Sequence, residues 1–214
     1  YTSRAPALAD GMSEGHQHMF GRAFRDEGSI PPAYLPSGFL IASAEDMAHY
    51  ALAHLNDGRY NDTAILSAQG MAELHAPAIP IGGGAQYAMG WNVATVDGMQ
   101  ILSHNGDTGR FHAVIVLMPD RGSGFALLSN VSGFEYMNSQ AVDSIAVGIV
   151  NLLNGKPAAP VSVSPLMSFL YWTMLLIPLL QVLGVVLVWQ QRQRMPIWGV
   201  VLTVVLNLAV ALFL

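Results

Sequence analysis

The sequence predicts an α+β fold: an antiparallel sheet flanked by helices, followed by two transmembrane helices. Three observations carry this. Stretches of helical period come first, then closely spaced apolar runs of strand length, then one long amphipathic stretch; that order gives a meander covered by helices, not an alternating α/β fold. Asp97-Gly98 stands between two of the strand-like runs and is a strong tight-hairpin signal. The apolar excess also sits in one place. Of 214 residues 52% are hydrophobic and only 11% charged, with a mean hydropathy of +0.41, and from Leu166 to Leu214 the only charged side chains are Arg192 and Arg194.

Taken in order, "LPSGFL" reads as a turn. "SAEDMAHYALAHLNDG" is a helix that Ser43 caps, with Asp46 completing a capping box three residues on. Met47, Tyr50, Ala51 and Leu55 line one face, and Gly58 closes the helix. "SAQGMAELHAP" is a shorter helix that ends before Pro77. "QYAMGWNVATV" and "MQILSH" are strands joined at Asp97-Gly98, so His104 is expected to end its strand. "RFHAVIVLMP" and "GFALLSN" pair across "DRGS". "EYMNSQAVDSIAVGIVNLLNG" is a long helix expected to cover the sheet through Ala141, Ile145, Ile149 and Leu152. "NGKPAAPVSVSP" (154–165) is a linker, which makes residues 1–153 one domain and 166–214 a membrane region.

The membrane reading rests on length and charge. A spanning helix needs about 20 apolar residues. The run 166–189 meets this without a charge, with Tyr171, Trp172 and Trp189 near its ends, where aromatic rings favour the headgroup region. Pro178 lies mid-run, as membrane helices allow. The run 197–214 is just long enough to be the second span. The alternative is a buried hairpin of a soluble core. Arg192 and Arg194 in the loop between the runs point to the cytoplasm by the positive-inside rule. The protein is thus expected in the cell membrane as a multi-pass chain, with the lipid bilayer as a partner and its preceding domain outside the cytoplasm.

The remaining charge excludes one class of function. Residues 1–165 carry seven Lys and Arg against fourteen Asp and Glu, a formal charge of −7. Phosphate binding needs a basic face, so no nucleic-acid partner is expected. There is no cysteine, which excludes disulfides and thiolate chemistry. The chain starts at Tyr1 without a methionine and stops inside an apolar run. It is expected to be a piece of a longer protein.

The candidate site is "SHNGDTGRF". A histidine and two glycines, Gly106 and Gly109, sit where one strand gives way to the next. Glycine lets a substrate or another backbone approach closely. A strand edge offers an N–H that polarises a carbonyl, and an imidazole exchanges protons near neutrality. Set against this, a lone histidine is more often structural.

From about Pro36 to Asn130 the chain resembles the C-terminal part of the serine β-lactamase and penicillin-binding-protein superfamily, and within it the class C β-lactamase-like esterases and D,D-peptidases. "LPSGFLIASAEDMAHYALAHLNDG" resembles the family's glycine turn and helix, "ILSAQGMAELHAP" its next helix, and "QYAMGWNV" its Tyr-Gly-x-Gly-Trp strand. "SHNGDTGRFHAVIVLMPDRGSGFALLSN" resembles the stretch with the third active-site motif, Lys-Thr-Gly in the best-known enzymes and His-x-Gly in many relatives. Here it is His104-Asn105-Gly106. "ALADGMSEG" resembles the segment where the family's chain re-enters the catalytic half.

The resemblance implies a partial β-lactamase/transpeptidase-like fold and an acyl-enzyme mechanism, in which the serine of Ser-x-x-Lys attacks an amide or ester, assisted by the lysine and a Tyr-x-Asn tyrosine. It implies that His104 binds the substrate carboxylate or assists proton transfer. It makes the backbone N–H of Asp107 one oxyanion donor, and it puts Asn105, Gly106 and Arg110 beside a small-molecule or peptide substrate. No cofactor is implied. Neither the nucleophile nor its lysine is in these residues. The only lysine is Lys156, with Leu153 three residues before it. "YMN" (136–138) follows the strand motif, where the family's Tyr-x-Asn precedes it, and is a chance match. This chain alone is expected to be inactive, since losing the nucleophile removes several powers of ten in rate.

Other residues have plainer readings. His16 and His18, with Glu14 nearby, lack a third ligand at metal-site spacing, so no metal site is assigned. His112 is expected to be a satisfied surface or core histidine, and His49, His54 and His75 to lie at solvated or rim positions on helices. Trp91 has two readings, lining a substrate cleft or, as is more often so on a half-buried strand, packing in the core; Arg110 likewise reads as a carboxylate ligand or a solvated turn arginine. Three readings remain to be separated. One is a membrane-anchored hydrolase; the second is a non-catalytic sensor or wall-binding module on the same fold; the third is an unrelated receptor-like domain on two helices, which predicts no cleft at His104. An intact upstream Ser-x-x-Lys and Tyr-x-Asn distinguishes the first two.

Overall fold

A computed structural model describes residues 1–19, 22–133, 137–161, 165–191, 198, 199 and 201. The chain forms two compact units, Tyr1–Ser162 and Val163–Leu214.

The first unit is a helix–sheet–helix sandwich. It opens with helix α1 (Arg4–Ala9) and strands β1 (His16–Met19) and β2 (Arg22–Arg25). Helix α2 (Ala44–Leu55) begins at the capping box read from the sequence. The Ser43 hydroxyl accepts from the Asp46 N–H at 3.0 Å, and the Asp46 carboxylate accepts from the Ser43 N–H at 2.9 Å. Ser43→Ala removes one of these bonds and is expected to lower stability by about 1 kcal/mol in urea unfolding, with an unchanged slope. A short hairpin, β3 (Arg59–Tyr60) and β4 (Thr63–Ala64), leads to helix α3 (Ala68–His75).

Six strands then run as an antiparallel meander: β5 (Ile79–Gly82), β6 (Ala85–Tyr87), β7 (Asn92–Val96), β8 (Met99–Asp107), β9 (His112–Met118) and β10 (Ser123–Ser129). The Asp97-Gly98 hairpin is present, both residues at positive φ (52° and 80°), as the primed tight turns require. β11 (Val131–Ser132) leaves the meander and pairs in parallel with β1, which also pairs with β2. Helix α4 (Met137–Leu153) closes the unit.

Side-chain alternation sends the central strands to two cores. Leu102, Ile115 and Leu117 join Ala51 of α2, Val93 and Trp91 on one face. Ile101, Val114, Val116 and Met118 meet Ala146 and Val150 of α4 on the other. β9 is covered on both faces, which explains its nearly unbroken apolar sequence.

Four expectations are corrected. "QYAMGWNVATV" is two strands, β6 and β7, separated by a turn at Ala88–Trp91 in which Gly90 has φ +83°. β8 does not end at His104 but continues to Asp107, paired with β9 throughout. The sheet-facing stripe of α4 is Ser139, Val142, Ala146 and Val150, with Ile145 and Leu152 exposed. The apolar residues of α4 allow more than one inward stripe, and polar bonds from Ser139 and Asp143 to the sheet fix which one faces it. His54 lies in the core rather than at a rim. The pairings of β1, β2, β5 and β11 were not expected from the sequence.

The second unit contains α5 (Pro165–Gln191), 27 residues with Pro178 inside. At 1.5 Å per residue it is about 40 Å long. Its Trp172–Gln190 window has a mean hydropathy of 2.1 and is long and apolar enough to cross a membrane. The second expected span, 197–214, lies outside the described residues apart from 198, 199 and 201.

Candidate active site

The end of β8 is the candidate site, and its shape follows from strand lengths. β7 pairs with β8 only as far as Asn92 opposite Ser103. β9 goes on pairing with His104, Asn105, Gly106 and Asp107. The last four residues of β8 therefore overhang. One edge is held by β9, and no strand among the described residues covers the other. An uncovered edge presents the N–H and C=O of alternate residues.

His104 is exposed on this overhang, with its Nε2 3.3 Å from the Tyr87 hydroxyl. A Cβ on Gly106 would meet nothing within 4 Å, so the space over the strand is open there. Gly109 lies in the following turn at φ +78°, a conformation that favours glycine.

Arg110 does not join His104, and Asn105 meets it only along the groove beside α4 that both residues line. Alternation turns Asn105 toward α4, where its amide donates to both oxygens of Asp143 at 3.1 and 3.2 Å. The Arg110 guanidinium lies over Gly28, 3.5 Å from Asp26 and donating to the Ser29 carbonyl, with its side chain 18% exposed. Asn105 lines a groove of about 280 Å³ beside α4; Arg110 lines a separate cavity of about 720 Å³.

Sequence reasoning missed the group behind the strand. It used only the backbone of Asp107, yet the side chain is the hub of a partly buried polar cluster. One carboxylate oxygen accepts from the Gly109 N–H at 2.6 Å. The other accepts from the hydroxyls of Ser132 and Ser139 and from His112 Nδ1. His112, 3% exposed, meets Asp107 through Nδ1 at 3.3 Å and Asp143 through Nε2 at 3.1 Å. Both partners accept when ionised, so both ring nitrogens donate. Burial opposes charge on His112, but its hydrogen bonds to the two carboxylates, and their charge, outweigh it and raise its pKa. Burial likewise works against the Asp107 carboxylate, and bonds from His112, Ser132, Ser139 and Gly109 hold its pKa well below the usual range. The i, i+4 spacing of Ser139 and Asp143 was visible in the sequence. Their partners, Asp107 for Ser139 and His112 for Asp143, 32 and 31 residues away, were not.

A second cluster lies under α2 and α3. His54 Nδ1 and His75 Nε2 are 2.9 Å apart, with both rings against Trp91. Burial, then His75, lowers the His54 pKa to about 4; burial lowers that of His75. A histidine depressed in the fold contributes stability that is present above its unfolded value and lost as pH falls toward the folded value. Between pH 6.5 and 4 the first unit is expected to lose on the order of 2 kcal/mol through His54. His112, raised in the fold, acts oppositely: its contribution is complete below its unfolded value and is lost as pH rises through the folded one. Urea midpoints from pH 4 to 9 check both limbs, and His54→Asn should flatten the acid one. Among the described residues no group of three His, Asp or Glu side chains is arranged to hold a metal.

A meander with one helix layer on each face, one strand overhanging its neighbour at the edge, is the fold of the β-lactamase and penicillin-binding-protein class of domain. The family model described as Beta-lactamase matches residues 2–146, and the chain belongs to that family. Among solved structures it is similar to the octameric penicillin-binding protein homologue from Pyrococcus abyssi, at 22% identity and a TM-score of 0.60. The match covers 73% of this chain and 34% of that one, so the chain spans about a third of that protein's length. No curated protein matches the chain.

Proposed function

We propose that this chain is the sheet-and-closing-helix part of a membrane-anchored serine hydrolase that acts outside the cytoplasm by an acyl-enzyme route. The observation that carries the reading is the β8 overhang. An acyl-transfer site needs an N–H aimed at the developing oxyanion and room beside it for the substrate. The edge His104–Asp107, uncovered on one side and open over Gly106, supplies both.

In this reading an upstream Ser-x-x-Lys serine attacks an amide or ester carbonyl. The N–H groups of Asp107 and of that serine hold the oxyanion, and water then releases the acyl group. His104 binds the substrate carboxylate or assists proton transfer, with Tyr87 orienting its ring. Gly106 leaves room for the substrate backbone. Asn105 and Arg110 act from behind the wall, through Asp143 and Asp26, rather than on the substrate. The cell-wall stem peptide is the substrate class that fits an outward-facing member. α5 supplies one anchor, 197–214 the second, and Arg192 and Arg194 mark the cytoplasmic loop between them.

The test is to expose the full-length protein to a fluorescent penicillin and to a fluorophosphonate. A covalent label is expected. Reversible binding without a label would favour the sensor or wall-binding reading.

A further inference from the structure

The overhang that makes β8 useful also removes half its support. A strand bonded on both sides is fixed by two ladders; past Ser103 this one has a single ladder, toward β9. An edge kept open for a substrate must be steadied from elsewhere. The only remaining directions are the faces of the sheet, and the α4 face is where the partly buried cluster sits.

We propose that Asp107 is a positioning residue for acyl transfer, its carboxylate being fastened from behind so that its own N–H stays aimed at the open edge, with His112 clasping that fastening to α4 through Asp143. The proposal rests on the hydrolase reading above. Four donors converge on the Asp107 carboxylate, from the next turn (Gly109), from β9 (His112), from β11 (Ser132) and from α4 (Ser139). Ser132 and Ser139 are buried. Fixing both oxygens fixes the Cα–Cβ direction, and with it the peptide plane that carries the N–H. The Thr108–Phe111 turn, closed by a 3.0 Å bond from the Thr108 N–H to the Phe111 carbonyl, prevents the strand from sliding past the cluster. His112 is paired on both ring nitrogens, so it has no lone pair for a base's role. It serves as a charged strut: Asp107 on β8 faces one nitrogen and Asp143 on α4 the other, with Ser129 opposite it on β10. Asn105 completes the link by holding Asp143 from β8 itself.

The experiment uses the full-length protein and two variants, Asp107→Asn and the milder Ser139→Ala, the second retained in case the first does not fold. Amide exchange at residues 106–109 is expected to quicken at least 10-fold in both while exchange in β9 stays unchanged. Nitrogen shifts of His112 at pH 7 should show a doubly protonated ring that Asp107→Asn disturbs. With a fluorescent penicillin, the acylation rate constant should fall about 10- to 30-fold, less than the loss of a whole oxyanion donor, with the reversible binding constant within 2-fold of the parent. Ser139→Thr, which keeps the hydroxyl, should restore the rate. Unchanged exchange and acylation in both variants would overturn the proposal. So would a loss confined to binding, or one that Ser139→Thr does not restore, since either marks a purely structural cluster. A parent protein that takes no label would overturn the hydrolase reading and the positioning role together; the exchange measurement, which needs no reagent, shows separately whether the fastening exists.

Discussion

His104→Ala in the full-length protein should lower acyl transfer by about 10- to 100-fold, the range for losing one hydrogen bond to a charged partner at a reacting centre. The fold should survive, because His104 is exposed and its ring is held, among the described residues, by the 3.3 Å contact to the Tyr87 hydroxyl. Two features make the expectation specific. His104 is on the overhang, where β8 has no β7 partner, and it shares a strand face with Gly106, above which there is open space. Tyr87→Phe should give a smaller loss, since it removes the ring's orienting partner and leaves the imidazole. Acylation kinetics with a fluorescent penicillin read both. Wild-type rates in His104→Ala would remove this residue from the mechanism.

Trp91→Ala should be the most damaging core substitution, at about 3 to 5 kcal/mol. Trp91 is 3% exposed and belongs to the core between the sheet and α2. Its ring is 5.1 Å from that of His54, 5.8 Å from that of His75 and stacked at 6.5 Å on Tyr50. Removing it also admits water to the histidine pair. Burial is the first cause of the low His54 pKa, so that pKa should climb back toward 6.5 and the acid limb of stability should shrink. Urea unfolding measures the first effect and histidine NMR the second. A core that closed over the gap would show a smaller loss of stability and an unmoved His54.

What the sequence revealed was local. The capping box of α2 is a four-residue pattern, and the hairpin at Asp97-Gly98 needs only two residues whose backbones accept positive φ. The order of helices and strands, and the third-motif strand, could be followed along the chain for the same reason. What stayed hidden depends on residues far apart in the chain. β8 outruns His104 because β9 goes on pairing with it as far as His112, and because Asp107 is tied to Ser132 and Ser139, 25 and 32 residues away. α4 turns Val142 and Ala146 inward, not Ile145, because Asp143 must reach His112. His54 looked like a helix-surface residue until α3 and the turn before β7 brought His75 and Trp91 against it. The parallel pairing of β1 with β11 joins residues more than 110 apart, beyond the reach of any period or turn signal.

The site divides in the same way. The sequence singled out His104, Gly106 and the backbone of Asp107, because an imidazole and a glycine at a strand end are unusual and resemble a known motif. The directions of the Asn105 and Arg110 side chains were not legible. In a strand, direction is set by parity, and a residue added or removed upstream reverses it. The carboxylate of Asp107 was passed over because nothing adjacent in the chain signals that four donors converge on it.

The central claim is that this fold completes an acyl-enzyme site. The most direct measurement is to label full-length protein with a fluorophosphonate, digest it and locate the adduct by mass spectrometry. One adduct per chain, on a serine three residues before a lysine and N-terminal to the segment that begins at Tyr1, is the result this account predicts. No adduct, or an adduct on a serine within residues 1–214, would contradict it.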